Sequence, residues 1–308
     1  MSSSHKKKIL VIGGSAFAGR VFSIQMSKKD HMELHVVNRG QFPLNLPSVK
    51  EYKCDRHNPR MLARIVPEGP YDAVVDFCAH TAGEVSSLLD ALRGRFSHYI
   101  MFSCASVYEP YGDKAKKEDD PLVTSSQGDP ISDQIYNKIL LEQETIATCK
   151  SLGVPYTIFR PTFIYGPFTR SGRESHYVEL IARGHVVPVP TDATSRFQLV
   201  YVFDIARALE ISIGDERAFN QIFNLSAPEE ITHGKLLEAF EEFNGGPFMS
   251  RPVTVEEILD ENIPNPFPLT ENELFSGEKF AETFEFTYTP FMEGMEKTFK
   301  IFYSLFIS

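Results

Sequence analysis

The first hundred residues constrain the fold more than any other stretch, because short apolar runs and helical runs alternate there with brief connections. Residues 8–12, Lys-Ile-Leu-Val-Ile, form a β-branched run that suits a strand buried on both faces. Gly13-Gly14-Ser15 ends it, and residues 18–26 read as a helix. A second strand follows at 33–37. The spacing then predicts a strand at 49–54, a helix at 58–65, a strand at 73–78, a helix at 84–92 and a strand at 97–102. Strands alternating with helices specify crossover units, hence a parallel sheet covered by helices on both faces.

The pattern weakens later. Residues 108–133 turn to Lys, Asp, Pro, Ser and Gly, a long polar loop before a helix at 134–150 and a strand at 156–160. Beyond Gly166 prolines become frequent, as in Val186-Val-Pro-Val-Pro190. With 308 residues against a prior of about 150 per domain, we expect two units. The expected fold is α/β: a Rossmann-type doubly wound parallel sheet over 1–165, which binds NAD(P), and a smaller mixed C-terminal lobe over 166–308, which binds substrate and interleaves with the sheet.

Charge narrows the partners. Lys and Arg number 31 against 41 Asp and Glu, a net −10, so a polyanion would need a local basic patch, and none is evident in the sequence. Nucleic acid is therefore an unlikely partner. Cys54, Cys78, Cys104 and Cys149 are far apart, with no pairing that frames a disulfide scaffold or a metal site. We read them as reduced thiols of a cytoplasmic protein. The apolar run after the basic start is too short for a secretory signal, and nowhere do ~20 apolar residues run together, so no membrane association is expected.

The glycine loop carries the first chemistry. Gly13, Ser15, Ala16, Phe17 and Gly19 lie between strand and helix, where backbone N–H groups at a helix N-terminus approach a pyrophosphate. Ala16 stands where the usual spacing has its middle glycine. After the second strand come Asn38 and Arg39 in place of a carboxylate that would hold the ribose and repel a 2′-phosphate. Arg39 offers two donors to a phosphate, so the cofactor is NADP or NAD, with NADP favoured.

These residues together resemble the extended short-chain dehydrogenases/reductases, in the NAD-dependent epimerase/dehydratase family. The resemblance runs through Cys54-Asp55-Arg56, Asp76-Phe-Cys-Ala-His80, Phe102-Ser-Cys-Ala-Ser-Val-Tyr108, Lys138 with Glu142, Arg160-Pro-Thr-Phe-Ile-Tyr-Gly-Pro167 and Val202-Phe-Asp-Ile-Ala206. It implies that Asp55 contacts the adenine amine, with Arg56 beside it. It also implies that Cys78, Ala79 and His80 line the cofactor, as does Ser103, and that Thr162 and Phe163 offer backbone to the nicotinamide amide. Lys138 would hold the ribose.

The catalytic positions depart from that pattern. The family's serine or threonine, four residues before Tyr108, is Cys104, and its tyrosine, four before Lys138, is Gln134. An amide binds a substrate but does not shuttle a proton. Tyr136 is near in sequence, yet two residues on a helix turn through about 200°, away from the face of Lys138, unless a local irregularity turns it back. Cys104 is a weak donor. The expected catalytic set is Lys138, Cys104, Gln134 and Tyr136, with His80 and Asp133 as possible neighbours and no metal.

Substrate contacts depart as well. Sugar-nucleotide binders in the family often carry Asn at the position of Phe163 and Arg at that of Phe197; Arg170, Arg173, His176 and Arg196 remain as anion contacts or surface charge. Loss of the tyrosine with the Arg-Pro-x-x-x-Tyr-Gly-Pro motif kept is similar to the branch of chloroplast stem-loop RNA-binding proteins and their bacterial relatives. Three readings follow: an NAD(P)-dependent epimerase or reductase acting on a sugar-derived or small polyol substrate, a dinucleotide-binding protein without turnover, and an RNA-binding relative. A homodimer is compatible with each.

Overall fold

Alternation along the first strand sets the architecture. In β1 (Lys7–Ile12), Ile9 and Val11 enter the core on one side of the sheet, and Leu10 and Ile12 enter that on the other. A strand buried on both faces needs helices on both. The computed structural model describes residues 6–110, 112–169 and 171–307.

The first half runs α1 (Phe17–Met26), β2 (Met32–Asn38), β3 (Val49–Lys53), α2 (Pro59–Ile65), β4 (Ala73–Asp76), α3 (Glu84–Ala91), β5 (Tyr99–Phe102), α4 (Pro130–Leu152) and β6 (Tyr156–Pro161). There follow β7 (Phe163–Tyr165), α5 (Glu174–Ala182), β8 (Val187–Pro190), β9 (Phe197–Tyr201), α6 (Val202–Ser212) and β10 (Gln221–Leu225). The chain closes with β11 (Glu230–Ile231), α7 (His233–Asn244), β12 (Ser250–Val253), α8 (Val255–Asp260), α9 (Glu278–Phe284) and α10 (Phe291–Ile307).

The main sheet has seven strands in the order β10-β6-β5-β4-β1-β2-β3, all parallel. The expected doubly wound sheet is present. Its edge strand β10 comes from beyond residue 166, and α6 packs along α1. Two small sheets, β11-β9-β7 and β12-β8, lie outside it. Among the described residues no helix is long and apolar enough to cross a membrane.

Helix α4 begins four residues before the expected 134. Asp129 caps it, its carboxylate accepting from the Ile131 and Ser132 N–H groups, and Pro130 fills the first turn. The polar loop is correspondingly shorter. From α4 to β6 runs a buried ion pair, with Arg160 Nη2 2.6 Å from Glu142 Oε2 and Nε 3.0 Å from Oε1. Arg160 also donates to the Tyr108 hydroxyl at 2.8 Å, which donates in turn to Asn224 Oδ1 at 2.7 Å.

The turn after β7 holds a lone buried acid. Gly166 has φ +131°, and a Cβ there would lie 2.6 Å from Val202 Cγ1, so only glycine fits. Its N–H donates to Glu174 Oε1 at 3.0 Å, while Oε2 is buried without a hydrogen-bond partner among the described residues. Burial pushes this carboxyl up to about 7 from 4.5. Between those values the native chain binds the proton that the unfolded chain has released. Stability should therefore fall as pH rises from 4.5 to 7 and level off above, by at most about 3 kcal/mol. Urea unfolding at pH 5 and pH 8 checks this: Glu174→Gln should shrink the loss seen in the wild type, and an unchanged loss contradicts the assignment.

Candidate cofactor and active site

In an open α/β sheet, ligands bind beyond the carboxyl ends of the strands where the winding reverses. Here that point lies between β1 and β4, and a cavity of about 500 Å³ opens there. Gly13, Ser15, Ala16, Phe17 and Gly19 wall it at the start of α1, Asn38 and Arg39 at the end of β2, Asp55 and Arg56 beyond β3, and Cys78 and His80 beyond β4. Phe77, Phe102, Ile164, Gln41, Phe42 and His57 also line it. The sequence reading did not single these out; Phe77, Phe102 and Ile164 lay inside motifs it quoted.

Backbone conformation builds the loop. Gly13 has φ +82°, and a Cβ there would lie 2.7 Å from Cys78 Sγ. A Cβ on Gly19 would lie 2.9 Å from the Gly13 carbonyl oxygen, so this glycine lets helix and strand close up. Phe17 opens α1 with φ +34°, which few side chains adopt. Ala16, just before the helix, is extended and needs no glycine. The loop thus presents the first N–H groups of α1 to the cavity, a fit for a pyrophosphate.

At β2 the two polar residues divide their work. Asn38 is buried; its Oδ1 accepts from Gly40 N at 2.7 Å and its Nδ2 donates to Glu51 Oε1 at 2.8 Å. Its amide shapes the turn. Arg39 is exposed at the rim with no hydrogen-bond partner among the described residues. Asp55 accepts from the backbone and ring N–H of His57 at 2.9 and 2.7 Å, bonds that hold its carboxyl below the usual range.

Arg56 is a tie beneath the cavity. Its Nη1 donates to Asp76 Oδ1 at 2.8 Å and its Nη2 to the Glu84 carbonyl at 3.0 Å, while the Tyr99 hydroxyl donates to Asp76 Oδ2 at 2.9 Å. Burial pushes the neighbouring Cys78 thiol up to about 12, so it stays protonated.

Five expected residues stand behind the wall: Ala79, Ser103, Lys138, Thr162 and Phe163. Lys138 Nζ donates to the Ala79 and Phe102 carbonyls at 2.7 and 3.1 Å, and burial lowers its pKa. Ser103 donates its N–H to Phe159 O at 2.8 Å, and its hydroxyl is buried without a partner among the described residues. Thr162 N–H is committed to Leu225 O at 3.1 Å, so only its carbonyl remains for a ligand. Phe163 faces Phe197 and Phe267.

The catalytic candidates separate. Cys104 and Tyr136 pack in one cluster with Ala105, Val107 and Ile139, and burial raises the Cys104 thiol, with the Lys138 ammonium acting the other way. Gln134 is exposed on α4. Because α4 is helical from Pro130 onward, no irregularity turns Tyr136 toward the face of Lys138. Asp133 is exposed and bonds Ser126. His80 donates its backbone N–H to Glu84 Oε2 at 2.9 Å, and loss of water around its ring, then Lys138, lowers its pKa. Of the anion candidates, Arg196 pairs with Glu230 at 2.7 Å and Asp113 at 3.3 Å, whereas the Arg173 guanidinium lies 5.0 Å over the Phe163 ring. Arg170 falls outside the described residues.

A model of the NAD dependent epimerase/dehydratase family matches residues 9–226. The chain belongs to this family. The glycine loop at the switch point fits the dinucleotide that the family's description names. The chain is 29% identical over 261 residues to the chloroplast stem-loop binding protein of 41 kDa b of Arabidopsis thaliana, covering 80% of this chain and 66% of that one. It is 22% identical over 158 residues to UDP-glucose 4-epimerase of Vibrio cholerae, 51% of this chain and 47% of the other. The matched stretch is thus less than two thirds of either relative's length.

Solved structures share the fold. UDP-glucose 4-epimerase of Thermotoga maritima with UDP-glucose superposes with a TM-score of 0.77 at 18% identity, over 97% of this chain and 99% of that one. The dTDP-glucose 4,6-dehydratase of Bacillus anthracis in complex with NAD gives 0.79 at 19% identity, over 97% of each.

The Arg56 tie generates a prediction about stability. Removing one partner of a buried ion pair leaves a charge uncompensated, which costs about 3–5 kcal/mol. Arg56→Ala should lower unfolding free energy by about that much in urea melts, far more than the ~0.5 kcal/mol of an ordinary surface change. A loss confined to ligand binding would contradict the structural role.

Proposed function

We propose that the chain is an NAD(P)-dependent epimerase or reductase, favouring NADP, that acts on a sugar-derived or small polyol substrate without a tyrosine acid/base. The observation that carries this reading is the cavity at the switch point, walled by the glycine loop and rimmed by Arg39, whose guanidinium makes no hydrogen bond among the described residues. Residues 1–165 supply most of the dinucleotide site and residues 166–308 the substrate side. A bound nicotinamide supplies hydride exchange at carbon.

The chain's own residues divide the remaining tasks. Arg39 offers paired donors to a 2′-phosphate, with no carboxylate at the end of β2 to repel it. Lys138 spends two ammonium hydrogens on Ala79 and Phe102 and keeps a third for a ribose hydroxyl. The Cys104 thiol, raised by burial, stays neutral near pH 7 and donates to a substrate oxygen without taking its proton. Gln134 holds a substrate but moves no proton. With Phe197 in the core where an arginine would meet a nucleotide phosphate, and Arg196 paired with Glu230, the chain offers less to a nucleotide diphosphate than to a small substrate.

A second reading, dinucleotide binding without turnover, is favoured by the exposed amide at position 134. The stem-loop binding named for the Arabidopsis relative meets a net charge of −10 here, which disfavours a polyanion. Four free thiols among the described residues support a reducing, cytoplasmic setting. A homodimer remains compatible with this reading.

Calorimetry with NADP and NAD tests the cofactor. NADP should bind more tightly, and Arg39→Ala should shrink the difference; equal wild-type affinities contradict the reading. Steady-state assays on a panel of sugar-derived carbonyls and polyols test the chemistry. Restoring a phenol with Gln134→Tyr should raise turnover, because proton transfer contributes about 10²- to 10⁴-fold, while cofactor affinity stays near that of the wild type. Brisk wild-type turnover abolished by Tyr136→Phe would instead assign the proton to Tyr136.

A further inference from the structure

A second cavity, of about 540 Å³, lies on the outer side of the glycine loop. It shares Ser15, Ala16, Phe17, Gln41 and Phe42 with the dinucleotide cavity, so the two meet along one edge. Its own wall is Arg20, from the first turn of α1, with Pro43 and Asn45 from the turn after β2 and Phe168 and Thr169 from the loop after β7. Arg20 is half-buried. Its Nη1 donates to the Ser15 and Pro43 carbonyls, both at a long 3.3 Å, while Nε and Nη2 make no hydrogen bond among the described residues.

Among the described residues no carboxylate forms an ion pair with this arginine. Glu51, on β3 beside the 39–45 turn, is committed to Leu44 N, Asn45 N and Asn38 Nδ2. The Arg20 guanidinium lies 5.4 Å from the centre of the Phe168 ring, and Phe168 reaches it from a left-handed φ of +67°. An exposed phenyl ring over a cation excludes water from one face without supplying a counter-charge. Arg20 also ties together the two segments that flank the end of β2, the glycine loop through Ser15 and the 39–45 turn through Pro43.

We propose that this second cavity receives the phosphate on the adenosine ribose of NADP, with Arg20 as a second guanidinium beside Arg39 and Phe168 as its cover. The proposal rests on the dinucleotide reading above. The ribose lies at the end of β2 in this fold. A phosphate leaving it past Arg39 meets the shared edge at Ser15 and Gln41, and there the free donors of Arg20 supply charge-assisted hydrogen bonds. Arg20 is thus a specificity residue that the strand-end pattern does not reveal.

The test is calorimetry of the full chain with NADP, NAD, adenosine 2′,5′-bisphosphate and adenosine 5′-monophosphate. Arg20→Ala should weaken NADP and the bisphosphate by about ten- to a hundredfold while changing NAD and the monophosphate less than about twofold. Arg20→Lys, which keeps a point charge without the fork, should fall between, and Phe168→Ala should weaken NADP and the bisphosphate, but not NAD, by a smaller factor. Retained NAD binding shows that the variants are folded. If Arg20→Ala and Arg20→Lys leave NADP unchanged, or weaken NAD and NADP equally, the proposal fails although the dinucleotide reading stands. Wild type that binds neither dinucleotide overturns that reading itself.

Discussion

The buried pair between Arg160 and Glu142 is the constraint on which the site depends. Both side chains are nearly inaccessible, at 2% and 3% exposure, so each charge is tolerable only because the other answers it. Arg160 ends a central strand and Glu142 sits mid-helix, so their bond fixes the rotation and register of α4 against the sheet. Lys138, one turn earlier on the same face, is thereby delivered to the carbonyls at the ends of β4 and β5. The same rotation leaves Gln134 in solvent and lays Tyr136 against the turn after β5. Through Tyr108 the pair also reaches Asn224, which joins the edge strand β10 to the polar loop.

Around that fixed helix the electrostatics are consistent. Burial raises the thiols of Cys78 and Cys104 and lowers the ammonium of Lys138, each toward its neutral form. Neutral thiols donate but do not accept protons near pH 7. The residue one turn before Lys138 on α4 is Gln134, whose amide has no proton to exchange near neutral pH. On the proposed reading, dinucleotide binding and proton transfer are therefore separable in this chain.

Much of this was legible in the sequence, for reasons that residues illustrate. β-branched runs at β1 and β2 and the glycine break between β1 and α1 are local signals, and they marked both the sheet and the mouth of the cofactor site. The start of α4 was missed because its first turn is exposed and carries no apolar period; the Asp129-Pro130 cap was the available sign. β8 carries Pro188 and Pro190, and β12 carries Pro252, so neither reads as a strand. Long-range partners were invisible. Arg56 and Asn38, expected at the cofactor, do line the cavity, but their ties to Asp76 and to Glu51 join residues too far apart in sequence to be read from it. Arg196 looked available and is paired, whereas Arg20, which attracted no notice, is the guanidinium with free donors beside the glycine loop.

A crystal structure of the chain with NADP would test the central claim most directly. The account predicts adenine beside Asp55, the 2′-phosphate within ~3 Å of a guanidinium, and the nicotinamide ring near Lys138 and Cys104 with no phenol hydroxyl within ~3.2 Å of its reacting face. A nicotinamide lying outside the switch-point cavity, or the Tyr136 hydroxyl reaching its reacting face, would contradict it.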